Sequence, residues 1–183
     1  PKIWRDVWVD DYRKLVVAPG VYDMVSLRLA DTFGFEALYM TGFGAVASHL
    51  GLPDAGIATY TDMVGRVKAM ASLAHVPLIA DADTGYGGLL NVRHTVRGYE
   101  EAGAAAIQLE DQEFPKKCGH TPGRRVIAVE DMVRKIRVAV ESRSSADFWC
   151  QAATAPPSST TRQPARFARA RTCGAMTQRV QRR

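Results

Sequence analysis

Apolar runs that end on glycine, threonine or acids, each separated from the next by a helix-length stretch, most narrowly limit what this chain can become. Val16-Val17-Ala18 stops at Pro19-Gly20, and residues 37–40 stop at Thr41-Gly42. Residues 76–80 run into Asp81, and residues 104–109 run into Glu110-Asp111. Helical patterns lie between them, over 23–33 closed by Gly34, over 61–74, and from an Asn91 N-cap through Val92, Val96 and Tyr99 to Gly103. Val129, Met132, Val133, Ile136 and Val140 give a further one-sided helix, and a fifth strand starts near Asp147.

Strands separated by helices of this length imply parallel pairing with right-handed crossovers. Two architectures satisfy that rule, an open doubly wound sheet and a (β/α)8 barrel. The turn after the first run reads PGVYD and lacks the glycine pattern of a dinucleotide site. Polar residues gather at several strand ends instead, namely Thr41, Asp81, Asp83, Glu110 and Asp111. Barrel active sites draw on many strand ends in this way. A whole barrel takes about 250 residues, so this chain is expected to supply four and a half βα units of one.

The pattern stops after Phe148. Residues 149–183 hold seven arginines and no acid, and no usable hydrophobic period. The expected organisation is a partial barrel over 1–148 and an irregular Arg/Ala/Thr-rich tail over 149–183. That tail reads either as unstructured basic chain or as out-of-frame translation of a GC-rich gene. The chain carries +5 overall, but without those arginines residues 1–148 hold 17 basic against 19 acidic side chains. The basic balance therefore belongs to the tail and does not mark a nucleic-acid surface of the fold; the tail also lacks interleaved aromatics for stacking bases. Three scattered cysteines exclude a disulfide framework and point to a reducing, cytoplasmic setting. No apolar run approaches the ~18 residues of a membrane span, and residues 1–15 do not read as a secretory signal.

Two segments carry chemistry. Asp81 and Asp83 close one strand and fall on one face if that strand stays extended. Two carboxylates there repel unless a cation or proton intervenes. With Glu110 and the loop residue Asp54 they form a set of hard oxygen donors, suited to Mg2+ or Mn2+ rather than zinc. The second segment is Lys116-Lys117-Cys118-Gly119-His120, bracketed by Pro115 and Pro122. A thiol beside two ammonium groups and an imidazole should ionise readily, and the loop suits an exposed, mobile lid. His49, His75 and His94 read as structural, Met40 and Met70 as core, and Trp4 and Trp8 as anchors of an N-terminal helix.

Taken together, TGFGAVASHLGLPDAG, DADTGYGG, NVRHTVRGYEEAGAAAIQLEDQ and FPKKCGH resemble the isocitrate lyase/phosphoenolpyruvate mutase superfamily over about residues 10–148. The KKCGH form is similar to its carbon–carbon lyase branch, which acts on methylisocitrate, isocitrate or dimethylmalate. The resemblance implies a (β/α)8 barrel, a homotetramer, Mg2+, a small carboxylate substrate and retro-aldol cleavage that releases a 2-oxo acid. It implies Asp81 as direct metal ligand, with Asp54, Asp83 and Glu110 holding the metal largely through water. It implies Thr41, Gly42 and Phe43, with Gly119, as the substrate-binding set. Cys118 is implied as lid acid/base, with Lys116, Lys117 and His120 beside it. Where the family's fifth strand reads roughly ARTDA, this chain has Ala152-Ala153-Thr154-Ala155-Pro156, so the arginine falls on Ala153 and the aspartate on Ala155. Strands six to eight have no counterpart in this reading. An inactive truncated homologue, and an oxaloacetate decarboxylase or phosphonomutase of the same superfamily, stay open as alternatives.

Overall fold

The computed structural model describes residues 16–119, 121–154 and 166–169, with Thr154 and 166–169 described by their backbone alone. Its elements in chain order are β1 (Gly20–Val21), α1 (Met24–Asp31), β2 (Leu38–Met40), α2 (Gly42–Leu50), α3 (Tyr60–Leu73), β3 (Leu78–Asp81), α4 (Leu89–Glu101), β4 (Ala106–Glu110), α5 (Val129–Ser142), β5 (Trp149–Thr154) and β6 (Arg166–Arg169). Strands β1 to β5 pair in parallel, each beside the strand that precedes it. A doubly wound sheet reverses its strand order, whereas a barrel wall adds strands in sequence. The sheet is therefore the wall of a partial (β/α) barrel.

Local sequence explains most element boundaries. Asp23 caps α1 by accepting the Ser26 N–H at 2.7 Å, and Ser26 Oγ accepts the Asp23 N–H in return. Thr59 and Asp62 form the same reciprocal box at the start of α3. Asn91 is not the N-cap of α4. That position is Gly88, and Asn91 reaches back from one turn inside to accept the Gly88 N–H at 3.1 Å.

Three expectations need correction. The first strand is not the apolar run at 16–18 but Gly20–Val21; Tyr39 donates to the Pro19 carbonyl and Thr41 to that of Val21, so Pro19 joins only as an acceptor. Residues 42–50, over which no helix is expected, form α2. The sheet also crosses the boundary drawn at 148. Cys150 and Ala152 of β5 lie in the core, and β6 pairs antiparallel to β5. Being antiparallel, β6 is no sixth barrel strand. Trp4 and Trp8, and the rest of the tail, lie outside the described residues.

Period-two alternation sorts the strand residues onto two faces. Leu38, Met40, Leu78, Ala80, Ile107 and Leu109 pack in the main core, which also holds Leu27, Val67, Met70, Val92, Val96, Tyr99 and Ile136 from the helices. The opposite face carries a smaller cluster of Ala37, Ile79, Ala105 and Ala106, against which Tyr39 packs. Asp81 shares a face with Ile79, and Glu110 shares one with Ala106. The acids thus sit on the side of the sheet away from the helices. Among the described residues no helix is long and apolar enough to cross a membrane.

Candidate functional site

The site forms where β2, β3 and β4 end. Asp81 is the last residue of β3 and is 7% exposed. Its Oδ2 accepts the Gly42 N–H at 3.1 Å and its Oδ1 accepts the Asp83 N–H at 2.9 Å. Thr41 caps α2, so the amino end of that helix abuts the Asp81 carboxylate. A helix amino terminus carries partial positive charge and favours such an anion.

Asp83 joins Asp81 by a route other than strand alternation. Its φ is 48°, so the chain turns out of the extended form immediately after β3. Few non-glycine residues adopt this left-handed conformation. The turn brings the Asp83 carboxylate to the Lys116 ammonium, at 2.5 Å from Oδ1. Lys116 Nζ also contacts both oxygens of Asp54, at 2.7 and 2.8 Å. Lys116 is 3% exposed, which corrects the expectation of an exposed lysine beside the thiol. Lys117 turns elsewhere and donates to the Gly123 carbonyl at 3.3 Å.

Charge in the cluster is unbalanced, with four carboxylates around one ammonium. Burial, and then the Asp81 charge, push the Asp83 carboxyl up to about 7, against the pull of Lys116. Burial and Asp81 also raise Glu110 above the usual carboxylate range. Burial works to lower Lys116, but Asp83 and Asp81 outweigh it and hold the ammonium above the usual lysine range. The half-buried Tyr39 phenol is raised by burial and then by the Asp81 charge. These directions describe a pocket that holds one cation firmly and has negative charge to spare.

Glu110 ends β4, and its Oε2 accepts from Gln112 Nε2 at 2.7 Å. Beyond Gln112 the chain leaves the sheet and returns at Val126, which bridges Gln112 antiparallel. Glu113 donates to the Arg125 carbonyl and Ile127 to that of Asp111, both at 2.9 Å, closing the stem of this loop. Among the described residues between them there is no helix or strand, as Pro115, Gly119, Pro122 and Gly123 require. Cys118 is half-buried and Gly119 exposed on this loop; His120 lies outside the described residues.

The structure therefore brings Asp54, Asp81, Asp83, Glu110 and Lys116 together, with Gly42 against Asp81. Phe43 is 56% exposed at the first turn of α2. Among the described residues, no three acids, histidines or cysteines are already spaced around one ion. The donor chemistry nevertheless fits a hard divalent cation: buried carboxylate oxygens in excess over the single ammonium. Sequence reading missed Gln112 and Tyr39. Gln112 directly follows Glu110-Asp111, yet nothing in that adjacency marks its amide as a cross-link.

The family model described as phosphoenolpyruvate phosphomutase matches residues 10–170. The chain is 54% identical over 142 residues to the 2,3-dimethylmalate lyase of Eubacterium barkeri, covering 78% of this chain and 49% of that protein. The structure of oxaloacetate acetylhydrolase in complex with the inhibitor 3,3-difluorooxalacetate superposes with a TM-score of 0.76 at 44% identity, over 80% of this chain and 51% of that one. A phosphonopyruvate hydrolase complex with oxalate and Mg2+ superposes at 0.69 with 35% identity, over 77% and 48% of the two chains. The chain spans about half the length of the curated relatives it matches.

Proposed function

The chain belongs to the phosphoenolpyruvate mutase/isocitrate lyase superfamily, and from that premise we propose that its site serves Mg2+-dependent cleavage of a carbon–carbon bond in a 2-hydroxy di- or tricarboxylate. The observation that carries this reading is Lys116. Its ammonium ties the loop that carries Cys118 to Asp54 and Asp83, which anchors that loop to the carboxylates at the strand ends.

Asp81 would hold the cation directly, with Asp54, Asp83 and Glu110 around it, and Mn2+ could take its place. A bound Mg2+ supplies charge stabilisation for the 2-hydroxy or 2-oxo carboxylate end of the substrate. Thr41, Gly42 and Phe43 present the amino end of α2 to the same carboxylate. As the C2–C3 bond breaks, the 2-hydroxyl gives its proton to a carboxylate of the cluster and its O–H electron pair becomes the C2=O bond; the C2–C3 pair goes to the departing carbon, and Cys118 gives that carbon its proton. Lys117 and His120, with Gly119 bending the chain, balance the thiolate left behind. A loop closed over the reacting atoms keeps water out.

A second reading is hydrolytic cleavage of a 2-oxo dicarboxylate. The similarity to oxaloacetate acetylhydrolase favours it. Ala153, which pairs with Glu110 across β4 and β5, puts a methyl where the resemblance expects a substrate-clamping arginine, so slow turnover is expected.

One experiment separates these. The 183-residue chain is given substituted malates, isocitrates and oxaloacetate with and without Mg2+, and 2-oxo acid and oxalate release are followed. Oxalate binding is measured calorimetrically alongside. Mg2+-dependent oxalate binding, with 2-oxo acid release abolished by Cys118→Ala, is the expected result. Oxalate release from oxaloacetate that survives Cys118→Ala selects hydrolysis. No Mg2+-dependent binding of oxalate overturns the site.

A further inference from the structure

Among the described residues, Gln112 is the one buried amide that touches both the acid cluster and the loop above it. It is 2% exposed. Its Nε2 donates to Glu110 Oε2 at 2.7 Å and to the Lys117 carbonyl at 2.9 Å. Its Oε1 accepts the Lys117 N–H at 3.2 Å. Both amide hydrogens and the amide oxygen are therefore engaged. The network fixes which atom is which, since a flipped amide would set its NH2 against the Lys117 N–H and its oxygen against Glu110.

We propose that Gln112 is a positioning residue that straps the Cys118 loop to Glu110, setting how often the loop opens. This rests on reading that loop as the lid of the site proposed above. The strap is distinct from the Lys116 ion pair. Lys116 fastens the loop by its side chain to Asp54 and Asp83, whereas Gln112 holds the main chain of Lys117, one residue before Cys118. The two fasteners hold adjacent loop residues, Lys116 and Lys117, and reach different acids, so Cys118 follows directly on two fixed points.

The side chain is matched to this task. Asparagine is one methylene too short to reach both Glu110 and Lys117. Glutamate keeps the length but has no amide hydrogens, and it sets a second carboxylate against Glu110. Alanine leaves the Lys117 peptide group without these partners.

The test is the rate at which iodoacetamide alkylates Cys118 in the metal-free 183-residue chain, resolved by peptide mass spectrometry. The buried Cys150 is the internal control. Gln112→Ala and the near-isosteric Gln112→Glu should each speed Cys118 modification by about tenfold or more and leave Cys150 protected. Cys118 rates within about twofold of the unchanged chain in both variants overturn the strap. So does a parallel rise at Cys150 in both, which would make Gln112 a general contributor to stability. If Cys150 is exposed in Gln112→Ala alone, Gln112→Glu decides by the same criteria. No metal or substrate is present, so absence of lyase turnover leaves the strap standing, and failure of the strap leaves the lyase reading standing.

Discussion

The backbone N–H of Gly42 donates to Asp81 Oδ2 across 39 residues of sequence, and the approach is so close that only glycine permits it. A Cβ at Gly42 would lie 2.7 Å from that oxygen and 3.0 Å from Asp81 Cγ. Gly42→Ala gains a little helix propensity at the first turn of α2, but it displaces the carboxylate. Loss of one charge-assisted hydrogen bond is worth ~1.5–3 kcal/mol. Mg2+ affinity should therefore fall roughly tenfold to hundredfold. Titration calorimetry of the two chains checks this; equal affinities would sever Asp81 from the metal.

Lys116→Met removes the ammonium and leaves Asp54 and Asp83 buried without it. Breaking a buried pair by removing one partner typically costs about 3–5 kcal/mol. The expected outcome at neutral pH, without metal, is a large drop in denaturant midpoint. Asp83→Asn placed on top should recover part of it, because the stranded charge is gone. A midpoint unchanged in Lys116→Met would show that the cluster is solvated after all.

Asp83 sets a pH dependence whose sign runs against the usual carboxylate. Its folded-state value, about 7, lies above its ordinary value, so the folded chain binds the proton more tightly than the unfolded one. Its contribution is most favourable below the ordinary carboxylate range and is lost as pH rises toward about 7. The stability difference between the metal-free chain and Asp83→Asn, followed from acid to neutral pH, should move against the unsubstituted chain. A difference that moves the other way would place Asp83 in a net attractive field.

A cation that binds only the folded state raises stability by mass action, by ~2.7 kcal/mol at a hundred times its Kd. Mg2+ should thus raise the melting temperature of this chain, and a chelator should return it. Asp81→Asn should abolish the shift and leave the fold intact. A shift that persists in Asp81→Asn would put the ion elsewhere.

Strands β2, β3 and β4 were legible because each apolar run is short and ends on a polar residue or glycine, whereas β1 lies past the run at 16–18. The acids at 81, 110 and 111 were legible for the same reason. α2 was not, since GFGAVASHL has two glycines and weak helix formers. Its ends are set by the Thr41 cap, by Gly51 in the left-handed conformation and by the contact of Gly42 with Asp81, the last of which is tertiary. Lys116 was misplaced for a related reason. A lysine in a run of basic residues reads as solvated, and its partner Asp54 lies 62 positions away. Asp83 was put beside Asp81 correctly but by the wrong geometry, because its positive φ has no signature in an aspartate.

The bridge between Gln112 and Val126 has an evolutionary consequence. Since the two ends of the loop are tied to each other, residues 113–125 form a cassette whose length and content can change while β4 and α5 stay in register. The carboxylates come from strand ends and a separate loop, so they stay behind when the cassette is replaced. One scaffold can then present a different side chain from that loop while the same carboxylates stay in place, without being rebuilt.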